Sequence, residues 1–595
     1  MPSQLSYPGV YVEEVSSGVR TIIGVATSIT AFVGRTARGR ENEATTITSY
    51  ADFDRRFGGL DANSPVSYAV RDFFLNGGSR AVIVRLFRGE AGKTPKAPLT
   101  LGTSLTLEAA SSGAWGQNLR GEIDFDVTPD SIKAAGLTDT PWQLFDLTLK
   151  DATPGGAVET CRNVTMADLP NRLDRVLKQQ SDLARWTGKF DQATLEPDLK
   201  VGKDAIQAVA DATSSDALLA AHVALAAVRV RDAVSEAEAG LDTAGKNLRT
   251  LLAAAKPDPA AIAKARSKTD DAATALTAAK KAREAAASDG LELQFGDYVP
   301  ATGEDDKTGL YALDKADLIN LLCLPTLADP DKDLLASAVA YCVTRRAMLI
   351  VDPPSSSTWK NANAVSKDFR DPPGFPGLRS RDAALYFPRV NYPDPKNGGQ
   401  IGEFPPCGVI AGVFAKTDAT RGVWKAPAGL DAGVLGIRRL AVNLTDNENG
   451  LLNPLGINCL RFFPAGGNVV WGSRTLRGDD GLADEYKYVP VRRLALFLEE
   501  SLYRGTQWTV FEPNDEPLWA QLRLNVGAFM HDLFRQGAFA GSSPSKAYLV
   551  KCDKETTTQS DVNRGVVNVL IGFAPLKPAE FVVLQIQQLA GQIDT

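Results

Sequence analysis

Between Asp198 and Ser288 the chain has no Phe, Trp or Tyr, and it is built largely from Ala, Lys, Asp and Glu. Ala side chains bury little apolar area, so this stretch cannot raise a core of its own. Its apolar positions Ala227, Val230, Val234, Ala237, Leu241, Ala244, Leu248 and Leu251 alternate spacings of three and four, the seam of two helices lying side by side. Lys256-Pro257-Asp258-Pro259 interrupts it, with Asp258 suited to an N-cap and Pro259 to the first helical position. Ile262, Ala265, Thr269, Ala272, Leu276 and Ala279 repeat the spacing up to a stop at Asp289-Gly290. The expectation is an antiparallel helical hairpin projecting from the main body. A disordered linker competes: Gly240 and Gly245 weaken the first helix, while the second holds no internal Gly or Pro.

On both sides of this stretch helix and strand patterns alternate. Before it come strand Ala31–Gly34, helices Tyr50–Phe57 and Pro65–Leu75, a helix stop at Asn76-Gly77-Gly78, and strand Ala81–Leu86. From about Leu101 to Met166, short alternating runs such as Ile123–Val127 and Phe145–Leu149 predict a β-rich unit. After the hairpin, the pattern predicts helices over Asp314–Leu322 and Leu334–Arg345 and a buried strand over Ala347–Val351 ending in Asp352-Pro353-Pro354. Ala384–Phe387 and Gly408–Phe414 are further apolar runs. Helices follow over Val491–Tyr503 and Leu518–Arg535, and strands over Trp508–Phe511, Tyr548–Cys552 and Val566–Phe573. Both chain ends are β-prone: Val10, Val12 and Glu14 alternate with Tyr11, Glu13 and Val15, and Glu580–Leu589 is a long β-prone run.

Chemistry is sparse. The two histidines, His222 and His531, and six scattered cysteines without a CxxC pair argue against zinc, and the cysteines read as buried free thiols. Asp352 follows an apolar strand, as in nucleotide hydrolases, but no GxxxxGK[ST] loop accompanies it, and it reads as a turn former before Pro353. Asp532 is adjacent to His531 and does not face it on a helix. Thr445–Gly450 resembles a calcium loop lacking its later Glu, which favours an Asx-type turn. No enzyme and no cofactor are expected. A net charge of −6 on 595 residues gives no reason to expect nucleic-acid binding. No secretory signal and no run of about 18 apolar residues is visible, so membrane insertion is not expected and synthesis is expected in the cytoplasm.

Several spread motifs carry a resemblance. YPGVYVEEV (Tyr7–Val15), TSITAFVG (Thr27–Gly34), NGGSRAVIVRL (Asn76–Leu86), TGLYALDKADLINLLCLP (Thr308–Pro325), RRAMLIVDPP (Arg345–Pro354), ALYFPRV (Ala384–Val390), GVFAKTDATRGVWKAPAG (Gly412–Gly429) and RRLALFLEESLYRGTQWTVFEPNDEPLW (Arg492–Trp519) resemble the contractile tail sheath proteins of phages and related injection systems. The hairpin lies outside the resemblance.

That resemblance implies an α+β multidomain chain. A common mixed α/β domain is built from N- and C-terminal segments, with an inserted β-rich domain and the inserted helical hairpin. The implied division is an N-terminal arm (1–20), the first part of the common domain (21–95), the β-rich insertion (96–185), the hairpin (186–295), a middle α/β domain (296–405), the C-terminal common domain (406–575) and a C-terminal arm (576–595). It further implies stacked hexameric rings around an inner tube, and contraction that drives the tube through a cell envelope. The implied partners are further copies of the chain, the tail tube protein, and baseplate and tail terminator proteins, within a virion tail or a comparable contractile particle. Arms in similar proteins add strands to neighbouring subunits, which here nominates Val10, Tyr11, Val12, Glu13 and Val15, and Phe581, Val582, Val583, Leu584 and Ile586. The helix bearing Leu518, Arg523 and Arg535 is the candidate to face the tube. The charged pairs Arg492-Arg493, Glu499-Glu500, Asp479-Asp480 and Asp484-Glu485 are read either as links between subunits or as solvated faces. The competing functional classes are a surface adhesin displaying the hairpin and a nucleotide-dependent enzyme.

Overall fold

The computed structural model describes residues 20–585 apart from 103–104, 154, 188–201, 204, 210, 228, 255–257, 285–286 and 371–377. The proposed N-terminal arm strand (Val10, Tyr11, Val12, Glu13, Val15) and Ile586 lie outside the described residues. The central sheet is formed by β1 (Thr30–Gly34), β2 (Ala44–Ile47), β3 (Ala81–Arg85), β4 (Leu321–Cys323), β5 (Met348–Val351), β6 (Ala383–Phe387), β7 (Ile457–Phe463) and β8 (Gly467–Trp471). Its order is β8-β7-β6-β5-β4-β1-β3-β2. The run β1, β4, β5, β6, β7 is parallel and β8 returns antiparallel on β7. Strands β4, β5 and β6 are buried on both faces, as parallel strands covered by helices must be.

By contacts the chain divides into two compact units. The first takes the chain up to Phe32, Tyr68–Val82 and everything from Ala316 onward. Around β4–β8 it carries α2 (Lys332–Thr344), α3 (Cys407–Arg421), α4 (Val489–Thr506) and α5 (Glu516–Arg535); α1 (Pro65–Leu75) enters it at Tyr68. Helices α1 and α3 approach closely because Gly408 and Gly412 present no side chain. A Cβ on Gly408 would lie 2.1 Å from the Ala69 carbonyl oxygen, and one on Gly412 would lie 2.7 Å from that of Phe73. Tyr68 donates to Asp394 at 2.6 Å, and Tyr392 donates to the buried Asp72 at 3.0 Å.

The second unit takes Val33–Ser67 and Ile83–Lys315. It contains a three-stranded antiparallel sheet (Pro98–Leu101, Leu105–Ala109, Ala184–Trp186) and a four-stranded one, ordered Arg229–Arg231, Leu119–Asp124, Leu144–Asp151, Val158–Thr165. Their inward residues, among them Leu99, Leu107, Ile123, Phe145 and Leu147, form one core. Two long helices, Ala233–Leu252 and Pro259–Glu284, lie against each other. Asp258 accepts from Ala260 N–H at 3.0 Å, the role its position before Pro259 suggests.

At the hairpin root, Asp232 accepts from the backbone N–H groups of Val234 (3.1 Å), Ser235 (3.2 Å) and Gly121 (2.9 Å), and from Arg283 (3.0 Å). It caps the first helix and ties both helices to the β-rich sheet.

Four local expectations are corrected, and the apolar run Gly408–Phe414 is placed. Val230 is not part of the hairpin seam: it sits on the edge strand opposite Ile123, and the helix starts at Ala233. The second hairpin helix ends at Glu284, short of Asp289. Leu321 and Leu322, expected in a helix over Asp314–Leu322, belong with Cys323 to β4, since an apolar run buried on both faces has no period to distinguish the two. Gly408–Phe414 belongs to α3. Trp508–Phe511 is not a strand: a 3-10 turn spans Gln507–Thr509, and Phe511 turns to a φ of 72°.

Candidate functional site

The C-terminal part of the first unit brings together an open strand ribbon, an anchored tail and a cleft. Tyr548–Lys551 and Leu570–Phe573 pair antiparallel, Tyr548 opposite Phe573 and Lys551 opposite Leu570. One face of the ribbon (Tyr548, Val550, Ile571, Phe573) packs on the cluster that includes Leu494, Leu498, Val526 and Leu533 of α4 and α5. The other face exposes Leu549 and Leu570. Among the described residues no third strand pairs with either strand. A two-stranded ribbon is marginal alone and leaves its outer backbone groups free for a further strand.

The chain then runs through Leu576–Phe581 along a cleft of about 940 Å³. Glu580 is caught there by Arg474, Nε at 2.7 Å and Nη2 at 2.6 Å, and the Tyr488 hydroxyl donates to it at 3.3 Å. Arg474 is wholly buried and also donates to the carbonyls of Asn453 and Gly478 and to Asp480. Burial opposes its charge, but its hydrogen bonds to Glu580 and the field of Glu580 and Asp480 outweigh that and hold its pKa above the ordinary value. With Arg474 wholly buried and Glu580 only 16% exposed, the latch fixes where the tail leaves the body. Beyond it Phe581, Val582, Val583 and Leu584 lie in no strand and are 75–82% exposed. No local signal singled out Arg474 or Glu580, which are 106 residues apart.

The other nominated residues fare differently. Leu518 is buried with Trp519, Leu522 and Cys552, and so does not face outward. Arg523 pairs with Glu516 at 2.7 Å and donates to the Cys552 carbonyl, while Arg535 is exposed. At about 100° per residue the three positions fall roughly 100–140° apart around α5, so they share no face.

Apart from the exposed Glu485, the charged clusters pair within the chain. Arg493 binds both oxygens of Asp418 (2.8 and 2.6 Å) and the Thr27 carbonyl, both side chains being buried. Arg492 holds Asp382 at 2.7 Å and Glu499 at 3.1 Å, and Glu500 holds Arg346 and Arg504. Asp479 pairs with Arg379, Asp480 with Arg474 and Lys487, and Asp484 with Arg477 and Arg381.

Asp352 does more than form a turn: its Oδ1 accepts the Cys407 N–H at 2.8 Å, capping α3, and burial pushes its carboxyl up to about 6. Thr445 and Glu448 form a capping box on helix Asp446–Leu452 in place of the expected Asx-type turn. All six cysteines are free and buried. Among the described residues no group of His, Cys, Asp and Glu is placed to hold a metal, and no helix is long and apolar enough to cross a membrane.

Two family models match this framework: residues 300–476 match the phage tail sheath protein central domain and 483–588 the phage tail sheath C-terminal domain. These two matches support the contractile tail sheath family for this chain. The chain is 28% identical over 240 residues to a putative prophage major tail sheath protein of Pseudomonas aeruginosa, covering 40% of this chain and 56% of that one. It is 28% identical over 181 residues to the tail sheath protein of Vibrio phage KVP40, covering 30% and 26%. The chain thus spans about a quarter to just over half the length of these curated relatives. In fold it is similar to the helical sheath of the anti-feeding prophage in its contracted state, with a TM-score of 0.51 at 21% identity over 98% of this chain and 100% of that one.

Proposed function

We propose that the protein is the repeating subunit of a contractile sheath, polymerising around an inner tube and shortening without nucleotide or metal chemistry. One observation carries this reading: a single chain holds both an unfilled strand ribbon and, past the Arg474–Glu580 latch, an uncovered apolar tail. A tail of one copy that adds to the ribbon of another satisfies main-chain groups in trans and covers side chains worth about 1.5–3 kcal/mol each. Residues 1–15 are read as a second such arm. Paired arms stay bonded while rigid bodies rotate, so that contraction is a switch of interfaces with the arms as tethers. Inner tube, baseplate and tail terminator proteins are the partners of this reading, and assembly takes place in the bacterial cytoplasm.

The test is a chain lacking residues 1–15, and another with Val582 and Leu584 changed to Asp. Electron microscopy of the purified proteins should show wild-type tubes, with both variants folded by circular dichroism yet limited to monomers or short rings. Normal tubes from both variants would refute the arm reading; a wild-type chain that stays monomeric would refute the sheath reading.

A further inference from the structure

The turn between α4 and α5 holds an apolar side chain in the open. Phe511 has no cover at all, 102% of its reference exposure, beside Val510 at 61%. Its φ of 72° is one that a bulky side chain rarely adopts, so the backbone is bent to present the ring outward. The turn is anchored beneath: Asn514 donates to the Val566 carbonyl at 3.0 Å and accepts from Trp519 Nε1 at 2.9 Å, while Asp515 caps α5 through Leu518 N–H. Val510–Glu516 carries Glu512, Asp515 and Glu516 and no basic residue. It is a rigid acidic knob with an aromatic tip.

The cleft beside the C-terminal tail has the complementary character. Its walls include the aromatic rings of Trp424 and Trp471 and the basic residues Arg421, Lys425 and Lys577. Its one acid, Glu580, is engaged by Arg474. Among the described residues Arg421 meets Asp431 only at 3.8 Å with both side chains exposed, and Lys425 reaches only the Ala426 carbonyl, at 3.3 Å. At about 940 Å³ the cleft admits Val510, Phe511 and the adjoining carboxylate together. Because Phe511 is fully exposed, the knob does not occupy the cleft of its own chain.

The geometry points to a head-to-tail contact in which the Val510–Asp515 knob of one copy seats in the Trp424–Lys425–Trp471–Lys577 cleft of a second copy of this chain. It rests on the self-assembly reading and adds a contact separate from strand exchange. Knob and cleft are different surfaces, so the contact is heterologous and propagates, as a ring or helix requires. An aromatic anchor rimmed by opposite charges is the arrangement that dominates such interfaces.

The experiment uses the full chain and measures the concentration at which assembly begins, by sedimentation and electron microscopy, with thermal melting as the folding control. Phe511→Ala should raise that concentration about 10- to 100-fold with an unchanged melt. Glu512→Lys and Lys425→Glu should each impair assembly, and the double variant should recover it. Equal assembly by Phe511→Ala and wild type, or no recovery in the double variant, overturns the contact while leaving the sheath reading intact. Loss of binding to the inner tube protein with self-assembly unchanged would also overturn it, by assigning the knob to the tube. Only failure of the wild-type chain to assemble speaks against the sheath reading itself.

Discussion

Asp352 lies at the end of β5, wholly desolvated, with one oxygen on the Cys407 N–H and the other without a hydrogen-bond partner among the described atoms. Burial raises its carboxyl from 3.8 to about 6, and Arg389 and the Cys407 hydrogen bonds offset only part of that. The folded-state pKa is above the unfolded one, so the stability contributed by this group is fully present below the unfolded value. It is lost as pH rises through about 6. Asp352→Asn keeps the acceptor for Cys407 and removes the titration. Linkage with these pKa values puts the change in the stability difference between variant and wild type at about 2 kcal/mol between pH 4.5 and pH 7, with the variant gaining as pH rises. Other carboxylates titrate alike in both proteins and cancel. Paired thermal or urea melts at pH 4.5, 5.5, 6.5 and 7.5 measure the difference. A flat difference, or one that shrinks with rising pH, would show that Asp352 is not held neutral by burial.

Asp232→Ala removes the cap of the first hairpin helix and strands the buried Arg283, which should cost about 2–4 kcal/mol locally. Hydrogen exchange should show Ala233–Leu252 losing protection while β4–β6 keep theirs. Burial raises the thiols of Cys323, Cys342, Cys407 and Cys459, the last to about 12. A disulfide reagent at pH 8 should therefore titrate none of the six cysteines in the native protein and all six in guanidinium chloride.

Elements whose punctuation is local were legible in the sequence. Tyr50–Phe57 begins where Ser49 accepts from Asp52 N–H and ends at a left-handed Gly58. Lys332–Thr344 starts at Asp331, which accepts from Leu334 N–H at 2.9 Å. Failures occur where a distant partner decides. β4 is a strand because β1 and β5 flank it, and Val230 is drawn from the helical seam by pairing with Ile123. The charge pairs looked like surface features because their partners, such as Asp418 for Arg493, lie dozens of residues away. For the candidate site, the apolar tail was visible as a β-prone run. The latch that roots it joins residues with no sequence proximity, and the exposure of Phe511 depends on a backbone turn that its apolar neighbours Trp508 and Val510 conceal.

Gly408 and Gly412 let α3 rest on the backbone of α1, and that joint sets a timetable. At bacterial or eukaryotic synthesis rates, Gly408 is made roughly 15 to 70 seconds after Ala69. The hydrogen bond from Ile29 N–H to Asn320 likewise spans 291 residues. During that interval α1 and β1 wait with their apolar faces uncovered, while the β-rich unit, whose partners are close in sequence, has time to fold. The first unit closes only after α3 has been made, so a chain abandoned before Gly408 retains a folded insertion but lacks the closed body.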